Sequence, residues 1–134
     1  MTGSREVYPF LCDNGGGKII NLGSFFDRMG VPHNLAYCAS KAAVAAMTRC
    51  LAVEWARKKI QVINVAPGYV ATDFNSDYLT QPKVKAWMKE RVPWEGRPGN
   101  AEEVARLVAS LFVEDLPYLT GETIYMDGAH GINH

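Results

Sequence analysis

Three short runs rich in aliphatic and β-branched residues constrain the fold of this chain more than any other feature of its sequence. They cover residues 18–22, 61–66 and 122–126, and each is bounded by glycine or proline. The first two runs are too continuously apolar for strands with one face in water. They predict strands of a parallel sheet that is covered on both faces.

Helical patterns occupy the segments around these strands, at residues 4–12, 34–58, 81–91 and 101–113. Pro82 stands in the first turn of the third segment, and Asn100 is placed to cap the fourth. Strands that alternate with helices at this spacing predict an α/β fold with a parallel sheet. We expect residues 1–134 to form one domain.

Three strands make a thin sheet for such a fold, and the run 18–22 is apolar enough to need a neighbour on each side. The sequence therefore predicts part of an α/β domain whose first half is absent. The open edge of this strand would then favour pairing with another chain.

The charge balance excludes several classes of partner. Fourteen basic and fourteen acidic residues leave no basic surface for nucleic acid or for an anionic membrane. No apolar run reaches the ~20 residues of a membrane-spanning helix, and the first residues do not resemble a signal peptide.

Cys12, Cys38 and Cys50 are odd in number and widely spaced, which predicts reduced core thiols in a cytoplasmic protein. His130 and His134 have no partner at a metal-like spacing, so we predict no metal site.

One small group of residues carries the chemistry. Tyr37 and Lys41 are four residues apart on a predicted helix, and Ser24 follows the first strand, at the sheet edge where α/β folds bind ligands. An ammonium one turn away stabilises a phenolate, and a serine hydroxyl can hold the oxygen that exchanges the proton. The trio suits the interconversion of an alcohol and a carbonyl, with the hydride supplied by another group. The alternative is an exposed helix pair worth a few tenths of a kcal/mol.

Three motifs that follow one another along the chain support the interpretation of Ser24, Tyr37 and Lys41 as a chemical site. They are Asn-Leu-Gly-Ser at 21–24, Tyr-Cys-Ala-Ser-Lys at 37–41 and Asn-Val-Ala-Pro-Gly-Tyr-Val-Ala-Thr at 64–72. At these residues, and again at 97–104 and 119–128, the sequence resembles the short-chain dehydrogenase/reductase family. The resemblance implies the C-terminal, catalytic half of a Rossmann-type doubly wound parallel sheet.

The resemblance also implies roles for individual residues in an NAD- or NADP-dependent oxidoreductase. Tyr37 would be the general acid/base, and Ser24 would orient the oxygen of a secondary alcohol or ketone. Lys41 would bind the nicotinamide ribose and assist the deprotonation of the tyrosine. With Tyr37 and Lys41, the residues expected to line the cofactor are Pro67, Gly68, Val70 and Thr72.

The family's Gly-x-Gly-x-x-Gly fingerprint does not occur in this sequence. The glycines at 15–17 precede a strand instead of joining a strand to a helix, so they predict a plain turn. We therefore expect weak or no binding of NAD or NADP by this chain alone.

Two questions stay open at this point. Trp87, Met88, Val92 and Trp94 either form an apolar lid over the substrate or pack a short helix onto the core. The chain is either such an oxidoreductase or a catalytically silent half-domain that acts as a self-associating module.

The helix at 34–58 is rich in alanine and lacks a full polar face, which predicts a helix that is covered on most sides. The resemblance implies that such helices pair about a two-fold axis. We expect a homo-oligomer through this helix.

Overall fold

A computed structural model describes residues 2–133 of the chain as an α/β fold. The strands are β1 (Gly17–Leu22), β2 (Ile60–Pro67), β3 (Val70–Ala71), β4 (Gly99–Asn100) and β5 (Thr123–Met126). The α-helices are α1 (Thr2–Asp13), α2 (Leu35–Trp55), α3 (Ser76–Thr80), α4 (Pro82–Arg91) and α5 (Ala101–Val113). The main sheet has the order β1-β2-β5, and both pairs are parallel.

The three predicted strands are therefore confirmed, with bounds that differ by one residue. The sequence missed the two-residue pair β3–β4, which is parallel, and the five-residue helix α3, because such short elements carry no periodicity. The predicted helix 34–58 consists of α2 and a 3-10 turn, Ala56–Lys58, which ends at Lys59 in a left-handed conformation. His134, which the prediction of no metal site included, lies outside the described residues.

Helices cover both faces of the sheet because β2, at its centre, is apolar on both sides. Ile60 and Val62 pack with residues of α1 and α2, including Tyr8 and Trp55. The opposite face carries a second cluster, formed by Ile63, Val65, Leu111, Val104, Leu107 and Ile124. The two-sided burial of β2 confirms the predicted sheet that is covered on both faces.

Strand β1 is only half-buried, whereas β2 is almost completely buried. Within the described residues β1 pairs with β2 and forms an edge of the sheet. One side of this strand thus makes no strand pairing within residues 2–133.

Gly15 and Gly16 lie in the turn between α1 and β1, and Gly17 begins the strand. Gly16 has φ 134°, and a Cβ on it would lie 2.6 Å from the carbonyl oxygen of Lys59. The Gly17 N–H donates to the same oxygen at 3.1 Å. The turn packs against the start of β2 and does not open a helix, so the prediction of a plain turn is confirmed.

The N-terminus of α5 is fixed by a capping box. The Asn100 side chain accepts from the Glu103 N–H at 2.8 Å, and the Glu103 carboxylate accepts from the Asn100 N–H at 2.8 Å. Arg97 adds two hydrogen bonds to the same carboxylate, at 2.8 and 3.0 Å, and one to Glu95 at 2.6 Å. The Arg97 guanidinium and the Asn100 N–H hold the pKa of Glu103 at about 2.

Every helix in residues 2–133 is too short or too polar to cross a bilayer. Within the same residues, no three His, Cys, Asp or Glu side chains come close enough together to hold a metal ion. Cys12, Cys38 and Cys50 are free thiols. Cys50 is exposed on α2, so the prediction that it is a core thiol is wrong.

Candidate active site

The carboxyl ends of β1, β2 and β5 meet at one edge of the sheet, which we call the carboxyl edge. The parallel register places Leu22 beside Val65 and Pro67 beside Met126. The segments that follow these strands therefore lie next to one another, which is where open α/β sheets bind ligands.

Ser24 lies just beyond the end of β1 and is 6% exposed. Its hydroxyl accepts a hydrogen bond from the Phe26 N–H at 3.3 Å and so caps the 3-10 turn Phe25–Arg28. Gly23 is needed before it because a Cβ there would lie 2.6 Å from Oδ1 of the buried Asn64. The local backbone thus fixes the position of the serine.

Tyr37 and Lys41 lie in the first turns of α2, with the Lys41 ammonium 5.6 Å from the centre of the Tyr37 ring. The Lys41 Nζ donates to the carbonyl oxygen of Leu22 at 3.0 Å, so it ties the helix to the end of β1. The Tyr37 side chain is 46% exposed. Its ring meets that of Phe26 edge to face, with centroids 5.8 Å apart. These contacts bring the helix pair to the turn that holds Ser24.

The residues expected to line a cofactor lie at the end of β2 and in the segment that follows it. The Gly68 N–H donates to Met126 at 3.0 Å, and Val70 pairs with Gly99 in the β3–β4 ladder. Asn75 holds the next turn: its side chain donates to the Val70 carbonyl and accepts from the Thr72 N–H. Thr72 is exposed at the end of this stretch. Pro67, Gly68, Val70 and Thr72 thus form one ordered segment at the carboxyl edge.

A row of aromatic rings beside Tyr37 was not predicted from the sequence. Phe26, Tyr69 and Trp87, which we call the aromatic wall, come from three separate segments and meet edge to face. Phe25 and His130 lie against Tyr69, and His130 also contacts Trp87. Such contacts between distant residues leave no local pattern, although the position of Tyr69 inside the Pro-Gly-Tyr-Val motif offered a signal.

His130 is buried, at 8% exposure, and its Nδ1 has no hydrogen-bond partner in the structure. Burial lowers its pKa, and Arg91 lowers it further, against the opposing effect of Asp127. Burial also raises the pKa of Tyr69. The imidazole and the phenol are therefore uncharged near neutral pH. From the sequence, His130 was predicted only to lack a partner at a metal-like spacing.

Of the four residues expected to form a lid or a core contact, two belong to the core. Met88 and Val92 are almost completely buried with Leu79 and Val84, and Tyr69 packs on this cluster. Trp87 and Trp94 are 37% and 65% exposed. The structure thus supports packing for Met88 and Val92, while Trp87 contributes to the wall.

The turn that follows Ser24 is fastened to the C-terminal strand. The Arg28 guanidinium lies 3.6 Å from the centre of the Tyr125 ring and 3.3 Å from the Asp127 carboxylate. The Tyr125 hydroxyl donates to Asp27 at 3.0 Å. Burial, followed by the Asp27 carboxylate, raises the pKa of Tyr125. These contacts join the ends of β1 and β5 around the site.

Comparison with known proteins assigns the family. The profile of the enoyl-(acyl carrier protein) reductase family matches residues 1–130. The chain belongs to the short-chain dehydrogenase/reductase family. A glucose 1-dehydrogenase from Gluconobacter oxydans is 38% identical over 129 residues, which are 96% of this chain and 48% of that protein. A 3-oxoacyl-(acyl-carrier-protein) reductase from Haemophilus influenzae is 42% identical over 84% of this chain and 45% of its own length.

The fold agrees with this short-chain dehydrogenase/reductase assignment. A crystal structure of a gluconate 5-dehydrogenase from Burkholderia cenocepacia, in complex with NADP and tartrate, matches with a TM-score of 0.90 at 29% identity. The match covers 98% of this chain and 51% of that one. The chain thus spans about half the length of the relatives it matches, and the predicted Rossmann-type fold class is confirmed.

Proposed function

We propose that Ser24, Tyr37 and Lys41 carry out the proton transfer in an NAD(P)-dependent interconversion of a secondary alcohol and a ketone. The observation that carries this proposal is the Lys41–Leu22 hydrogen bond, which holds the Tyr37–Lys41 pair against the strand end that leads to Ser24. The relatives named dehydrogenases and reductases favour an enzyme over a catalytically silent module.

Each residue has a role that its chemistry supports. In the direction of reduction, the Tyr37 hydroxyl gives its proton to the carbonyl oxygen, and the Ser24 hydroxyl donates a hydrogen bond to the same oxygen. The Lys41 ammonium stabilises the phenolate that remains. In the direction of oxidation, the phenolate takes the proton back from the alcohol.

The residues of the carboxyl edge fit a nicotinamide cofactor by their chemistry. The Lys41 ammonium can donate to ribose hydroxyls, the Thr72 hydroxyl can bind a carboxamide, and Val70 offers an apolar contact for the ring. Pro67 and Gly68 shape the backbone that leads to them, and Tyr37 borders the same space. When bound, the cofactor supplies or accepts the hydride at the substrate carbon. Gluconate 5-dehydrogenase, which matches this chain in fold, binds NADP.

Replacing Tyr37 by phenylalanine tests the proton-transfer role, because the ring stays and the transferable proton is lost. We expect the rate of ketone reduction, measured with millimolar dihydronicotinamide cofactor, to fall at least ~10²-fold. Tyr118→Phe is the matched control, since Tyr118 is fully exposed between α5 and β5. A Tyr37→Phe variant as active as the control would refute the proposal.

We also propose that the chain forms a homo-oligomer through α2, whose small side chains allow a second helix to approach closely. The helix buries Ala45, Thr48 and Ala52 against the sheet, yet leaves Leu35 and Val53 largely exposed. A helix with apolar residues on its outer side is stabilised when another copy covers it.

We retain the predicted cytoplasmic location as well, on the ground that the three thiols are free.

Ala43→Arg places a charge on the exposed side of α2 and should convert the oligomer to monomer in light scattering at tens of micromolar protein. Ala105→Arg adds the same charge to an exposed position of α5 and should leave the oligomer intact. A 14.8 kDa monomer for the unmodified chain would overturn this interface.

A further inference from the structure

We infer that the aromatic wall selects an uncharged cyclic alcohol or ketone, whose apolar ring face lies against Phe26, Tyr69 and Trp87. The inference rests on the proposed function, because Tyr37 fixes where the reacting oxygen lies. It adds a substrate class that the family assignment does not determine.

The rings form a continuous row that begins at Tyr37. The Phe26 ring lies 5.8 Å from that of Tyr37 and 6.1 Å from that of Tyr69, at interplanar angles of 85° and 84°. The Trp87 ring follows 5.5 Å from that of Tyr69, at 90°. A substrate whose oxygen reaches the Tyr37 hydroxyl therefore has its carbon skeleton beside aromatic carbon.

The rings of the wall pack against buried residues, and each ring remains partly exposed. Phe25 and His130 are buried and contact Tyr69, while Met88 is buried in the cluster on which Tyr69 packs. Trp87 at the outer end keeps 37% of its surface exposed. Aromatic rings that are fixed in position and partly exposed gain free energy by burying apolar C–H surface.

The rings of the wall carry no charge that would pair with an anionic substrate. The nearby Arg28 guanidinium is already paired with Asp127 and stacked on Tyr125. Arg91 acts on His130, but burial keeps the imidazole neutral at pH 7. A carboxylate placed on the wall would lose hydration without gaining an ion pair from the rings.

An NMR titration of this chain with two carbonyl or alcohol probes tests the inference without turnover. 2-Decalone is an uncharged bicyclic ketone, and gluconate is an open-chain anion. We expect 2-decalone to shift the ring signals of Phe26, Tyr69 and Trp87 with a Kd in the low millimolar range. Gluconate should shift them at least tenfold less at equal concentration. Equal or larger shifts with gluconate would overturn the inference.

An aromatic residue of the wall and one outside it provide a pair of variants. Trp87→Leu should weaken 2-decalone binding at least fivefold, whereas Phe112→Leu, at an exposed position on α5, should leave it unchanged. Retained binding in Trp87→Leu would refute the role of the wall.

Tyr37→Phe separates this inference from the proposed function. It should keep the binding of 2-decalone while losing the reduction of the ketone. Loss of turnover in Tyr37→Phe, combined with stronger binding of gluconate by the unmodified chain, would refute the wall and leave the proton-transfer role standing. Unchanged turnover with specific 2-decalone binding would refute the proton-transfer role alone.

Discussion

Two polar clusters of this molecule use their hydrogen bonds differently. At the start of α5, the Glu103 carboxylate accepts hydrogen bonds from the Asn100 N–H and from two nitrogens of Arg97. At the carboxyl edge, the Lys41 ammonium donates to Leu22, and the neighbouring Tyr37 is nearly half exposed. The first arrangement holds a helix end in place, whereas the second leaves a phenol open to a ligand. In this chain the carboxylate with several hydrogen-bond partners stabilises a helix end, whereas the phenol that stays accessible is the group available for chemistry.

Of the substitutions that test the difference between these two clusters, Lys41→Met should have the largest effect on activity. It removes the ammonium but keeps the length of the side chain. We expect slower ketone reduction and a pH optimum that moves upward, since the phenolate loses the cation that stabilises it. A pH–rate profile measures both effects.

Lys41→Arg is the control for this variant, as it keeps a positive charge and a donor for Leu22. It should retain the original optimum. If Lys41→Met also retains the original pH optimum, the lysine only anchors α2 to β1. The carboxyl-edge cluster would then be structural, like the cluster at the start of α5.

Glu103→Gln should produce a smaller effect, confined to stability. Its pKa of about 2 in the folded chain lies below the ordinary 4.5. The ionised carboxylate therefore stabilises the folded chain fully above pH 4.5, and this contribution is lost as the pH falls from 4.5 to 2. Thermal unfolding should show the unmodified chain more stable than Glu103→Gln at pH 7, with the difference disappearing near pH 2.

Glu102→Gln changes the neighbouring exposed carboxylate and should show a much weaker pH-dependent difference. Turnover should be unaffected in both variants. A difference for Glu103→Gln that persists unchanged at pH 2 would mean that the carboxylate charge does not stabilise this helix end.

The sequence predicted the main sheet, the long helices and the cap at Asn100, because each depends on local patterns of apolar and capping residues. It also placed Ser24 at the edge of the sheet, since parallel topology determines where strand ends meet. The grouping of Ser24 with Tyr37 and Lys41 came from the resemblance to the family. The hydrogen bond from Lys41 to Leu22 could not be predicted, because it depends on how α2 packs on β1.

The aromatic wall was missed for a related reason. Phe26, Tyr69 and Trp87 lie in three segments that are far apart along the chain and meet only through tertiary packing. The burial of His130 likewise depends on tertiary packing, since its ring contacts Phe25, Tyr69 and Trp87. Apart from the position of Tyr69 in the motif at 67–70, composition and spacing carry no signal for contacts of this kind.

We propose that this chain carries the nicotinamide side of a cofactor site together with the proton-transfer residues. An NMR titration with reduced nicotinamide mononucleotide, and separately with AMP, tests it most directly. We predict that the nicotinamide compound shifts the signals of Lys41, Val70 and Thr72, that AMP leaves the whole spectrum unchanged, and that intact NADH binds no tighter than the millimolar range. Specific binding of AMP without any response at Lys41 and Thr72, or a micromolar Kd for NADH, would contradict the claim.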